Sequence, residues 1–530
     1  MHTQLLSRAA LVAACVGSLA AAQLTTYPSM VKTDSPATSN GWTTTPLWTV
    51  GETIGTYTPV GIPDGIFAFA QGPNAANVLV THELSASQGT SYALANGLQL
   101  KGARISSFKI RRGASPSGQI VANVFRAGPA YDAVYDRQGA VVTSATQINE
   151  GTSTTNGFDR FCSANGVTAG QYNFTHDVFL CGEETGKPSV PHGGSMWALD
   201  VAARTLWAVP ALGRGAWENA TALDPQDPSK VALLLGDDTE GAPLYLYVGE
   251  KNAGSGGFLD QNGLEVGKLH AWKADNGDLT PQQFSGVGSF RTGSFVEVVA
   301  KNPLLAGQPG HDAFGWLDSD LLQLQADALG CFSFSRPEDV ATNPFDGTQA
   351  AFASTGRGQL FPADNWGDVY VVDVDFATLK AHVVIVADAD GLSVPDAGIR
   401  NPDNLDWARD GKIYIVEDKS TSPSSLFGAA TGIEASTWQL DAVTKVATRI
   451  GEIDRTSVAP LGTTDAAPLE IGNWETSGVL DVTHLFGHLP NERLLIVDVQ
   501  AHSLTNGPIG GSTGLVQGGQ LLFLSRVGQQ

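Results

Sequence analysis

Residues 230–251 read KVALLLGDDTEGAPLYLYVGEK. Two short apolar runs rich in Val, Leu and Tyr flank an acidic, glycine-containing turn, and each run is too short for a helix but right for a strand. The segment therefore reads as a β-hairpin whose first strand ends in Asp237 and Asp238. The same form recurs at FLCGEE (179–184), IYIVED (413–418) and LLIVDVQAH (494–502). A strand that delivers carboxylates at its end, repeated through the chain, is a way to build a multi-oxygen site for hard cations.

Working outward, further paired strand signals lie in GIFAFA and NVLVTHEL near 65–84, SMWALDVAARTLWAVP before 210, GDVYVVDVD at 367–375, ASTWQLDAVTKVATRIGEI before 453, and GQLLFLSRV near the end. Short strands with 61 glycines and 27 prolines among them, and no long 3.6-residue period, predict an all-β chain. The cadence is that of antiparallel blades in a β-propeller, with six blades expected and their acidic ends converging at the channel mouth. Irregular spacing predicts loop and short-helix insertions, at 252–300 and 301–335, with DSDLLQLQADALGCF as the amphipathic helix. A β-sandwich would not bring strand ends from so many parts of the chain onto one axis.

The balance of 31 Lys plus Arg against 53 Asp plus Glu, a formal charge of −22, argues against nucleic acid or an acidic membrane surface as partner. Arg8 ahead of AALVAACVGSLAAA, with Ala20–Ala22 before Gln23, reads as a Sec-type signal peptide over 1–22, leaving 23–530 as one domain. A lipoprotein box ending at Cys15 is the rival reading. No later run approaches a membrane span, so a secreted or periplasmic monomer is expected. Cys162, Cys181 and Cys331 then form an odd set in an oxidising compartment: either one disulfide plus a buried thiol, or a metal-bound thiolate. Asn173-Phe174-Thr175 and Asn219-Ala220-Thr221 are glycosylation acceptors in a host that glycosylates.

GFDRFCSANG (157–166), CGEE, LGRGAWENATALD, LGDD, YLYV, SRPEDV, NPDNL, WETSGV and VQAH occur in an order that resembles the PhoX-type alkaline phosphatases, secreted bacterial β-propeller phosphomonoesterases, over most of the mature chain. The resemblance implies that Cys162 is the cysteine that bridges two ferric ions in that family. It implies metal ligation by Glu183, with Glu184 as a neighbour, although Gly182 here interrupts the family's Cys-Glu-Glu segment. Gly213-Arg214 with Glu218, and Gly236-Asp237-Asp238, match segments that supply calcium ligands; Arg336-Pro337-Glu338, Pro402-Asp403-Asn404, and Gln500 with His502 match further ones. Arg357, in the GRG turn at 356–358, and Lys419 are candidates for steadying phosphate charge. Glu417 and Asp418 match nothing in the family and read as blade closure.

The activity so implied is metal-assisted hydrolysis of small-molecule phosphate monoesters, with calcium and Fe³⁺ as cofactors. Carboxylates suit calcium, and carboxylate, imidazole and thiolate together suit ferric iron. One departure bears on iron: the family commonly uses twin-arginine export, whereas Arg8 stands alone here. The alternatives are a non-catalytic, calcium-stabilised propeller with a disulfide at Cys162, or a propeller hydrolase acting as phytase, phosphodiesterase or lactonase. No zinc-type His/Cys spacing is present.

Overall fold

In a computed structural model, the structure describes residues 25–35, 41–114, 119–148, 157–486, 489 and 491–528. The expected signal peptide and Cys15 lie outside the described residues.

The described chain is built almost wholly of antiparallel strands grouped into consecutive units. The first contains Pro63–Ala70, Ala75–His82, Arg104–Ala114 and Ile120–Pro129; the second contains Phe161–Val167, Val178–Glu183, Met196–Asp200 and Thr205–Ala208. The third runs from Trp217–Leu223 through Lys230–Asp237, Tyr245–Glu250 and Val266–Ala274 to Phe290–Val298. The fourth contains Pro337–Thr342, Gln349–Ser354, Asp368–Asp375 and Lys380–Asp388. The fifth contains Pro402–Trp407, Lys412–Glu417, Ser436–Asp441 and Ala447–Ile453. The sixth contains Trp474–Asp481, Glu492–Ala501 and Gly518–Val527, completed by Trp42–Thr49 from the other end of the chain. That last pairing ties the beginning of the described chain to its end and removes an exposed edge.

The first strands of successive units pack side by side in order, and the first strand of the sixth packs on that of the first, so the inner strands form a closed ring. Large side chains pack within and between units: Trp197, Trp217, Trp272 and Trp474 are fully buried, and Trp217 meets Tyr245 of its own unit edge-on at 5.4 Å. The interval 252–300, expected as an insertion, instead supplies the strands Val266–Ala274 and Phe290–Val298. The second of these pairs with Lys380–Asp388 and fuses the third and fourth units into one nine-stranded sheet. Helix Ser319–Ala328 lies within the expected DSDLLQLQADALGCF segment; Asp318 caps it, accepting from the Leu321 N–H, and Leu322 and Ala326 are buried.

One local feature positions the site. In every unit the pairing between first and second strands slips near the start of the first: between Pro63 and Ile66, Phe161 and Ala164, Trp217 and Ala220, Pro337 and Val340, Pro402 and Leu405, and Thr476 and Val479. Such bulges bend a strand and re-aim its side chains.

Candidate metal centre

The repeated bulge makes equivalent positions easy to identify. The second residue of each inner strand is Asp64, Cys162, Glu218, Glu338, Asp403 or Glu475. These form one ring of donors around one mouth of the closed ring of inner strands. Opposite the first residue of each inner strand stands His82, Glu183, Asp237, Ser354, Glu417 or Ala501. The residue after each of these is Glu83, Glu184, Asp238, Thr355, Asp418 or His502, a second and outer ring.

A cavity of about 220 Å³ is lined by Glu83, Arg160, Cys162, Glu184, Glu218, Arg336, Glu338, Asp403, Asp418, Glu475 and His502. Asp64 joins them through the Cys162 Sγ, 3.2 Å from its Oδ2. Donor atoms of Asp64, Glu83 and Cys162, and of Cys162, Glu184 and Glu218, lie within 4.8 Å of one another. Cys162 belongs to both groups.

Two arginines stand over the rings. Arg160 pairs with Glu184 at 2.5 Å and Glu83 at 3.0 Å, and Arg336 pairs with Asp238 and with Glu338 at 2.7 Å. Each immediately precedes an inner strand and holds a positive φ, 52° for Arg160 and 66° for Arg336; Ile62 and Asn401 do the same before Pro63 and Pro402. Left-handed backbone at non-glycine residues costs on the order of 1–3 kcal/mol each and gathers at functional sites.

The charge is far from balanced. Asp64, Glu83, Glu184, Glu218, Asp238, Glu338, Asp403, Asp418 and Glu475 face two guanidinium groups. Burial, with Glu83 beside it, pushes Asp64 up to about 7. Burial, then Glu338 and Asp64, raises Glu218 well above the carboxylate range. The Cys162 thiol is likewise raised by burial and by Asp64 and Glu218. Burial opposes ionisation of Asp238 too, yet Arg336 holds it below its ordinary value. Asp238 also sits within hydrogen-bond reach of the Glu184 and Glu338 carboxylates. Desolvated carboxylates in mutual contact are stable only if protonated or bridged by cations, and this donor set of carboxylates with a thiol and an imidazole fits hard or borderline metal ions.

The sequence-derived candidates fall into two groups. Cys162, Glu218, Asp238, Glu338, Asp403 and His502 come together at the rings. Glu183 and Asp237 do not. Side chains alternate along a strand, so when Glu184 and Asp238 face the mouth their predecessors face the unit's interior. Glu183 accepts from Trp197 Nε1 at 3.2 Å and the Asp159 N–H at 3.2 Å; Asp237 accepts from Thr239 Oγ1 at 2.7 Å and the Ala216 N–H at 3.3 Å. Glu417 obeys the same parity: it is buried against Arg400 at 2.7 Å and Trp438 Nε1 at 2.8 Å, while Asp418, read as closure, lines the cavity.

Arg357 is half-buried in the turn after Thr355 and does not line the cavity; the arginines there are Arg160 and Arg336. Lys419 turns outward to Glu470 at 2.7 Å. Arg214 is buried against Asp312 at 3.3 Å, and Gln500 donates to Asp64 at 2.7 Å. Sequence reading missed Asp64, Glu83, Arg160 and Glu475 and gave Arg336 no role of its own; Asp64 and Glu475 take position two of an inner strand, Arg160 and Arg336 stand just before one, and Glu83 follows the residue opposite the start of one, places visible only once the strands are in register. Cys162, Cys181 and Cys331 are all free thiols, so a disulfide at Cys162, the signature set for a non-catalytic module, does not form. A roomier cavity, about 360 Å³, opens at the other ends of the inner strands beside Phe67, Tyr172, Trp407 and Arg409. Among the described residues it has no comparable convergence of donors.

The family model described as alkaline phosphatase PhoX matches residues 200–463. The chain belongs to the PhoX family. The Pseudomonas fluorescens PhoX structure in complex with vanadate, a transition state analogue, superposes with a TM-score of 0.61 at 16% identity, covering 95% of this chain and 97% of that one. At that identity the likeness speaks for the PhoX fold. A glucose dehydrogenase structure (12% identity, 72% of this chain and 97% of that one) and a puromycin hydrolase mutant complexed with PGG (11%, 85% and 61%) give TM-scores of only 0.25 and 0.26. A search among curated protein sequences finds no match. The PhoX match begins at residue 200, C-terminal to Cys162 and Glu184, so those two positions rest on the geometry of the rings.

Proposed function

We propose that the chain is an exported, metal-dependent phosphatase that hydrolyses phosphate monoesters, built as a six-bladed β-propeller with its site at the mouth where the two rings lie. The observation that carries this reading is the repeat of donor positions around a closed ring of inner strands, in a chain of the PhoX family. The vanadate bound by the P. fluorescens protein, whose fold this chain shares, supports a site for a phosphoryl group in transit.

In this reading Asp64, Cys162, Glu218, Glu338, Asp403 and Glu475 hold the metal ions, joined by Glu83, Glu184, Asp238, Asp418 and His502. The carboxylate-rich positions suit calcium, and Cys162 with its neighbouring carboxylates suits ferric iron. Bound metal ions would supply Lewis-acid polarisation of the phosphoryl oxygens. The chain's own groups do the rest. Arg160 and Arg336 present planar donor forks that match phosphate oxygens, and Arg160, the more exposed at 44% of its side chain, can swing from Glu83 to a ligand. Gln500 fixes Asp64, and Gln517 at 2.6 Å from His502 Nδ1 leaves Nε2 turned to Glu475 at 3.6 Å. The signal-like segment before Gln23 supports export.

The test is to purify the mature chain, quantify bound iron and calcium, and assay p-nitrophenyl phosphate hydrolysis for wild type and Cys162→Ala. Calcium in both proteins, with iron and activity in the wild type alone, is expected. A metal-replete wild type without hydrolysis would overturn the reading.

A further inference from the structure

The fourth unit carries a second concentration of acid that the two rings do not use. Asp364 lies in the connection between Gln349–Ser354 and Asp368–Asp375; Asp368 opens the latter strand, Asp388 closes Lys380–Asp388, and Asp390 follows it. Asp364, Asp368 and Asp388 are buried, and Asp390 is half-buried. Three of the four have partners. Tyr370 Oη donates to Asp368 at 2.9 Å, the Gly286 and Gly391 N–H groups donate to Asp388 at 2.8 and 2.9 Å, and the Trp366 N–H donates to Asp390 at 2.8 Å.

Asp364 differs. It is 2% exposed, and neither carboxylate oxygen has a hydrogen-bond partner among the described residues. The Gly367 N–H exerts a favourable pull on it without completing a hydrogen bond. Its leading charged neighbours are Asp390, Asp388 and Glu240, and those of Asp368 are Asp364, Asp388 and Asp390; no Lys or Arg is among them. An ionised carboxylate sealed from water with neither donor nor counter-ion costs several kcal/mol. The leading charged neighbours of Asp364 are negative, so a cation is the partner that would satisfy it.

We propose that Asp364, Asp368, Asp388 and Asp390 hold a divalent cation of the calcium type, a structural site separate from the two rings. These carboxylates do not bring three donors as close together as the groups at Cys162 do. A calcium ion takes six to eight oxygens, so backbone carbonyls and water would complete its shell beside these carboxylates. The ion would pin the connection 355–367 to the ends of two outer strands. That connection carries Thr355 of the outer ring, and its Trp366 carbonyl accepts from the Asn401 N–H at 2.6 Å. Asn401 Nδ2 in turn donates to Thr355 O at 2.8 Å and Asn365 O at 3.1 Å, just ahead of Asp403. The cation thereby stiffens the frame of one side of the site.

The direct test is diffraction from crystals of the mature wild-type protein saturated with terbium as a calcium probe. An anomalous peak enclosed by Asp364, Asp368, Asp388 and Asp390 is expected; the absence of a peak, as a proton shared among the acids would give, overturns the proposal. In parallel, Asp364→Asn should carry about one calcium equivalent fewer per chain and lose part of the calcium-dependent rise in thermal midpoint. Unchanged calcium content in a folded Asp364→Asn protein also overturns it, and the wild-type diffraction decides if that variant does not fold.

Discussion

Strand parity makes a sharp prediction about two adjacent glutamates. Glu183 and Glu184 are indistinguishable by composition, yet one faces the interior of its unit and the other the cavity. In Glu183→Gln, the carboxylate that accepts from Asp159 N–H on one oxygen and from Trp197 Nε1 on the other becomes an amide that cannot accept on both sides. A buried donor left without its acceptor costs about 1–3 kcal/mol. Removing a carboxyl that burial has already pushed up to about 7 returns part of that cost near neutral pH. The expected outcome is a modest loss of stability in denaturant unfolding, with metal content and kcat/KM close to wild type. Glu184→Gln removes charge from the outer ring beside Cys162, Glu218 and Arg160. It should weaken metal retention by about 10–100-fold or more and lower kcat/KM by at least about 10²-fold. Both variants should be taken through unfolding, metal quantification and p-nitrophenyl phosphate kinetics. If Glu183→Gln strips metal and activity while Glu184→Gln keeps them, the ring assignment is wrong.

Arg336→Lys should lower kcat/KM by about 10²-fold, because one ammonium cannot replace a fork that reaches Asp238, Glu338 and Ser420; wild-type kinetics would refute its placement. At the other mouth, burial and Asp481 push Asp406 up from 3.8 to about 7, so its protonated form favours the folded chain. That contribution is complete below pH 3.8 and is lost as pH rises through about 7, so Asp406→Asn should flatten the decline in thermal midpoint over this interval. Asn219 of the second sequon is 1% exposed and donates to Asp339 and Ser163, so mass spectrometry of protein made in a glycosylating host should find no glycan there. Asn173, whose Nδ2 donates to the Asp227 and Lys230 carbonyls at 3.0 Å, should be modified poorly if at all.

Much was legible before any coordinates. Short apolar runs punctuated by glycine and proline specify strands through local sterics and burial, and the hairpin at 230–251 forms as read, with Lys230–Asp237 paired to Tyr245–Glu250. The order of motifs pointed to the family, and Cys162, Glu218, Asp238, Glu338, Asp403 and His502 were recognisable from them. The motif pairs Glu183-Glu184 and Asp237-Asp238, however, do not say which member faces the axis. That depends on a one-residue register, set by the bulge at the start of each inner strand. Asp64, Glu83 and Glu475 escaped notice for the same reason: a single acid in a strand carries no mark of the ring it will join.

The sequence by itself determined which segments become strands and which family they build, because backbone preference and side-chain alternation act over a few residues. Only the tertiary structure decided which acids meet, since Asp64 and Gln500, or Cys162 and Glu218, are brought together by closure of the ring across long stretches of chain. It likewise turned Arg160 and Arg336 over the cavity and left Asp364 without a partner among the described residues. Those outcomes belong to long-range packing and to the charge it concentrates, and no local pattern encodes them.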